Sequence, residues 1–241
     1  MRSVFRAVLL CWVGILMLVG CAGALRWNPP APAGGSGVAE PLPRSYVVKP
    51  GDTLYSIAWR FGLDYHDVAA WNDIGADYLI HPGRQLALVA PLIGTAGARV
   101  ASSPPRPVLA DTGFRPSSSI HWMWPAAGAV IRQFHADNTL SKGIDINGAL
   151  GTDIRAAAAG KVVYTGSGII GYGKLIIIKN SEELLSAYAD NDQLLVKEGD
   201  VVKAGDRIAT MGLGRDGQPL LHFEIRYNGK PVNPLGYLPR R

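Results

Sequence analysis

Two stretches rich in proline, glycine and serine divide this chain of 241 residues and limit it to short folding modules. The first, Ala22 to Arg44, contains Pro29-Pro30-Ala31-Pro32-Ala33-Gly34-Gly35-Ser36-Gly37. The second, Pro91 to Ile120, contains Ser102-Ser103-Pro104-Pro105-Arg106-Pro107 and Ser117-Ser118-Ser119. Neither carries a periodic apolar pattern, so both read as tethers. The expected organisation is a targeting segment over 1–20, a tether over 21–44, a module over 45–89, a linker over 90–120 and a second module over 121–241, the two modules folding independently on a flexible string. With 29 Gly and 17 Pro, the composition argues against an all-helical bundle or a doubly wound sheet. The net charge of +5 is mild and unclustered, which argues against nucleic acid as a partner.

Arg2 and Arg6 precede an uncharged run from Ala7 to Leu25, the shape of a secretory signal. Leu18-Val19-Gly20-Cys21 resembles a lipobox, which implies cleavage before Cys21 and acylation of its thiol. That cleavage discards Cys11 and leaves one cysteine, an anchor with no partner for a disulfide. Acyl chains hold a terminus on a bilayer through about 0.8 kcal/mol per buried methylene. Ala22, where an inner-membrane lipoprotein of this kind would carry Asp, implies a periplasm-facing anchor in the outer membrane.

In the first module Tyr46-Val47-Val48 is a β-branched run, and Lys49-Pro50-Gly51-Asp52 is a turn. Leu54, Ile57, Ala58 and Phe61 then fall at i, i+3, i+4 and i+7, a helical stripe. Asp52 or Thr53 is placed to cap that helix, and Gly62 to end it. A second helix from Tyr65 to Asn72 starts at Asp64, and Gln85 to Val89 closes the module as a strand. The order βααβ, with Tyr-x-Val-x-x-Gly-Asp-Thr-Leu and Pro82-Gly83-x-x-Leu86, resembles the LysM family, a small α+β fold. The resemblance implies binding of peptidoglycan glycan strands in a shallow groove lined by Gly51, Asp52, Thr53, Leu54, Ile80 and His81. His66 and His81 lack metal-ligand spacing.

The second module reads as strands separated by glycines: Lys161 to Tyr164, Leu175 to Ile178, Leu184 to Tyr188, Asp206 to Met211 and Leu220 to Tyr227. Gly166-Ser167-Gly168-Ile169-Ile170-Gly171 has dinucleotide-loop spacing, but a strand follows it rather than a helix, so it is a hairpin loop. Glu198 to Asp206 resembles a biotinyl-carrier turn without the exposed lysine that such a turn presents. Gly143-Ile144-Asp145-Ile146, Ala187-Tyr188 and Leu221-His222-Phe223-Glu224-Ile225 resemble the LytM-type, lysostaphin-like zinc metallopeptidases. This implies a mainly β domain of duplicated-hybrid type.

The family's zinc ligands are the two residues of His-x-x-x-Asp and the second His of His-x-His. Here Ser141 stands four before Asp145, Asp190 stands where Tyr-x-His ends, and Leu220 stands for the first His of His-x-His. Only Asp145 and His222 remain. Catalytic zinc needs three protein ligands and an open position, so neither zinc nor catalysis is expected. Leu220 offers no donor to an oxyanion, and Asp190 brings the wrong charge. His135 is the one alternative ligand within reach in sequence, more simply read as a loop histidine, and His121 as a domain-edge residue.

Lipobox, tether, one LysM and a degenerate LytM domain together resemble the NlpD-type envelope lipoproteins. The resemblance implies activation of a periplasmic N-acetylmuramoyl-L-alanine amidase at the septum, with Ser141, Asp145, Asp190, Leu220 and His222 on or beside the partner groove. A noncatalytic peptidoglycan-binding linker and an active endopeptidase with a rearranged metal site are the alternatives.

Overall fold

The turn at Lys49 to Asp52 carries the chain from β1 (Ser45–Val47) into α1 (Leu54–Phe61). Thr53 is the N-cap of α1. Its hydroxyl accepts from the Ser56 amide at 3.1 Å, and Ser56 Oγ accepts from the Thr53 amide at 2.9 Å, a reciprocal capping box. Gly62 ends the helix at φ 66°, which a glycine adopts without strain. α2 (Tyr65–Trp71) is capped by Asp64, whose carboxylate accepts from the His66 amide at 2.8 Å. β2 (Gln85–Ala87) then pairs antiparallel with β1, setting Leu86 opposite Tyr46. The Asn72 side chain fastens α2 to β2 by exchanging hydrogen bonds with the Ala87 amide and carbonyl at 2.7 and 2.9 Å.

The structure is a computed structural model that describes residues 42–91, 120–136 and 142–241, all within one compact unit, Pro41–Arg241. The targeting segment, Cys21 and Ser141 lie outside the described residues.

The second module is almost entirely β. Its strands are β3 (Val130–Arg132), β4 (Ile144–Asn147), β5 (Asp153–Arg155), β6 (Gly160–Gly166), β7 (Lys174–Lys179), β8 (Leu184–Leu194), β9 (Val201–Val202), β10 (Arg207–Leu213), β11 (Pro219–Tyr227) and β12 (Lys230–Val232). They form one sheet in the order β3-β4-β11-β10-β8-β7-β6-β9, with β12 paired to β11, β5 to β10, and β8 also to β11. Gly166 to Gly173 is the loop between β6 and β7, as its sequence context requires. Period-2 alternation aims Leu221, Phe223 and Ile225 of β11 into a core shared with Ile144, Ile146, Ile176, Ile178 and Tyr188.

The expectation of two independent modules is corrected. Leu175, Ile177, Leu185, Ala187 and Ala189 occupy the sheet face opposite that core and join one buried cluster with Leu54, Ile57 and Trp59 of α1. An apolar sheet face must be covered by another element, and here the first module covers it. Arg226 Nη1 donates to the Trp59 carbonyl at 2.8 Å, and Tyr65 Oη donates to the Glu182 carbonyl at 2.9 Å. Gly229 touches the other module so closely that a Cβ there would lie 2.4 Å from the Leu63 carbonyl oxygen. The linker composition of the sequence carried no information about this seam, which depends on residues far apart in the chain.

Candidate functional site

β4 and β11 run antiparallel with Asp145 directly opposite His222, so the two surviving ligand positions are brought together by sheet register. His222 Nδ1 lies 2.6 Å from Asp145 Oδ1, and His222 Nε2 lies 3.1 Å from Glu224 Oε1. Strand alternation puts Glu224 on the same face two residues on. Asp145 is closed from its other side by Arg132, whose guanidinium lies 3.2 Å from Oδ2. Glu224 also accepts from Tyr172 Oη at 2.7 Å and from Arg226 Nε at 3.1 Å. Glu224, Tyr172 and Arg226 complete the site without having been candidates; the alternation of 222, 224 and 226 was the available signal.

Burial alone would drive the His222 ring toward neutrality, but its hydrogen bonds to Asp145 and Glu224, and their charges, outweigh that and raise its pKa to about 9. At neutral pH the ring is therefore an imidazolium donating from both nitrogens. Burial pushes Glu224 up, but the Arg226 charge and the His222 and Tyr172 hydrogen bonds bring it down to about 2. Burial raises Asp190 to about 6, with the Asp145 charge adding to it and the His222 charge opposing it. Asp190 sits at φ 59°, a left-handed conformation that Asp tolerates better than most residues. Its amide donates to the Tyr172 carbonyl at 3.0 Å, which fixes the β6–β7 loop against the site.

These residues do not fit a catalytic zinc. A metal-bound imidazole offers a ring lone pair, and both His222 nitrogens here point into carboxylates. His135 lies exposed after β3, and among the described residues no group of three His, Cys, Asp or Glu side chains is arranged to hold a metal. Leu220 does not lie on an open groove wall. It is 3% exposed and packs over Gly214, where a Cβ would meet its Cδ2 at 2.7 Å. An apolar side chain on a polar face buries itself under the nearest loop.

The expected glycan-binding residues divide by burial. Leu54 and Ile80 are core side chains, at 0% and 9% exposure, so they cannot touch a sugar through their side chains. Thr53 is occupied with the helix cap. Asp52 accepts from Tyr46 Oη and the Lys49 amide, both at 2.8 Å, and pairs with Arg60 at 3.2 Å. Gly51 and His81 remain exposed. A cleft of about 400 Å³ runs between Lys49 to Asp52 on one side and Thr165 to Gly168 on the other.

The segment 139–234 matches Peptidase family M23, and 46–88 matches the LysM domain. A Pseudomonas aeruginosa lipoprotein NlpD/LppB homolog is 44% identical over 81% of this chain and 77% of its own. The Escherichia coli lipoprotein YgeR is 38% identical over 96% of this chain and 92% of its own. The Escherichia coli murein hydrolase activator NlpD is 38% identical over 82% of this chain and 68% of its own. No helix among the described residues is long and apolar enough to cross a membrane. With a LysM domain docked on an M23-type sheet and this identity to several lipoproteins, the chain belongs to the NlpD-type lipoprotein family.

Proposed function

We propose that this chain is an envelope lipoprotein, anchored through Cys21 in the outer membrane, that holds peptidoglycan through its LysM domain and activates a periplasmic N-acetylmuramoyl-L-alanine amidase without cutting anything itself. The relatives' names support an activator of cell-wall hydrolysis. The observation that carries the noncatalytic part is the His222 ring, held at both nitrogens by Asp145 and Glu224 where a hydrolase keeps a metal and a water. A site with an imidazolium where a hydrolase holds its metal lacks the Lewis acid that peptide cleavage there requires.

Glycan contact falls to the exposed backbone around Gly51 and His81 rather than to Leu54 or Ile80. Partner contact falls to the surface beside Asp190 and His222, with Asp145 buried beneath it holding the His222 ring. Dye release from labelled peptidoglycan separates the readings. The full-length chain in detergent gives no release alone and release in the presence of an amidase from the same envelope. Release by the chain alone, abolished by a chelator, refutes the proposal.

A further inference from the structure

The sheet face that carries His222 is also the face on which the LysM domain sits. On β11, His222, Glu224 and Arg226 point away from the core that takes Leu221, Phe223 and Ile225. Arg226 is 1% exposed because its guanidinium lies 3.6 Å from the centre of the Trp59 ring and donates to the Trp59 carbonyl. Tyr172, which bonds Glu224, meets the same Trp59 ring edge-on at 6.4 Å between centroids. Helix α1 is therefore linked to the clamped histidine through Arg226 and Tyr172, both of which bond Glu224.

We infer that the LysM domain is a movable cover of the groove face, and that the hydrolase partner binds the form in which this cover is displaced. The inference rests on the reading above that the groove is the partner surface. Three features make the cover displaceable. The chain length between the described segments, residues 92–119, sets an upper reach of roughly 90 Å, so its length does not limit displacement. The buried ion pair at the seam, Arg226 with Glu224 at 3.1 Å, lies entirely within the M23-type domain. Undocking hydrates that pair without splitting it, which avoids the large cost of stranding a single buried charge. At the edges the seam is held by polar contacts that water can replace, Arg60 to the Gly168 carbonyl at 3.2 Å and Tyr65 and His66 to Glu182 at 2.9 and 3.2 Å. Displacement bares Ile177 and Ala187, whose burial a partner restores, so the face is covered in both states and the two covers exclude each other.

A partner that binds only the uncovered form has its apparent Kd raised by the inverse of the uncovered fraction. The test uses full-length chain in detergent and the amidase, with Kd read by calorimetry. Gly229→Ala, strained at φ 73° and aimed at the Leu63 carbonyl, loosens the seam without touching the groove. His66→Cys with Glu182→Cys, whose parent side-chain tips lie 3.2 Å apart, locks it when joined by a short bis-maleimide, with each single-cysteine variant as control. The expected result is a Kd about tenfold tighter for the loosened form and at least about tenfold weaker for the locked form. The locked form decides the matter if the loosened one unfolds. Equal Kd for native and locked forms overturns the inference and leaves the groove reading standing; absence of binding by every form overturns both.

Discussion

Replacing Glu224 with Gln keeps the volume of a side chain that is 1% exposed and removes its charge and one of its two acceptor oxygens. The carboxylate accepts from Tyr172 Oη, His222 Nε2 and Arg226 Nε at 2.7, 3.1 and 3.1 Å. A glutamine has one acceptor oxygen and turns an NH₂ group toward the remaining donors, so at least one donor is left facing another. Arg226 and the His222 imidazolium also lose their shared counter-ion. Removing one partner of a buried pair costs about 3–5 kcal/mol. For a domain of this size, at about 2–4 °C per kcal/mol, Tm falls by roughly 6–20 °C. Calorimetry on the full-length chain reads the drop, and imidazole NMR reads the accompanying fall of the His222 pKa from about 9. Because the Glu224 carboxyl is depressed to about 2, its stabilisation is present above its ordinary pKa and lost as pH falls through 2. The gap between wild type and variant therefore closes in acid. A Tm within about 2 °C of wild type, together with an unmoved His222 titration, refutes the network as the agent that holds this face together.

Thr53→Ala removes the capping box of α1 and lowers stability by about 1 kcal/mol in urea unfolding, whereas Thr53→Ser leaves it nearly unchanged. Tyr188→Phe strips the hydroxyl that accepts from the buried Ala157 amide at 2.8 Å, a loss of about 1–3 kcal/mol by the same assay. Asp190, raised to about 6, favours its protonated form in the folded state, so its contribution is present below its ordinary pKa and lost as pH rises through 6. Asp190→Asn flattens the stability profile over that interval, and a profile as steep as the wild type's refutes the assignment.

What the sequence made legible was what depends on neighbours in the chain. The stripe Leu54, Ile57, Ala58, Phe61 with Thr53 and Gly62 at its ends became α1 with those caps. The Gly166 to Gly171 spacing became a hairpin loop because a strand follows it. The pairing of Asp145 with His222 followed from two motifs that register brought opposite each other. The contact of Glu224 with His222 follows from strand alternation, whereas the burial of Arg226 under Trp59 beside it is a long-range matter. Trp59 lies off the apolar stripe of α1, and a large aromatic on the outer side of a short helix was the one sign that this helix has a second neighbour. Short strands such as β5 and β12 carry too few residues to show a period. The burial of Leu220 reflects the loop at Gly214, which alternation alone does not place.

One ring cannot both bridge two carboxylates and hold a metal, so the protonation of His222 decides between a clamp and a metal site. Imidazole nitrogen NMR on the full-length chain at pH 7.5, before and after one equivalent of zinc, reads it. Two protonated nitrogens in both spectra are predicted by a groove that has replaced its metal with a proton-bridged clamp. A neutral ring with one nitrogen shifted by zinc contradicts it and makes the groove a metallopeptidase site.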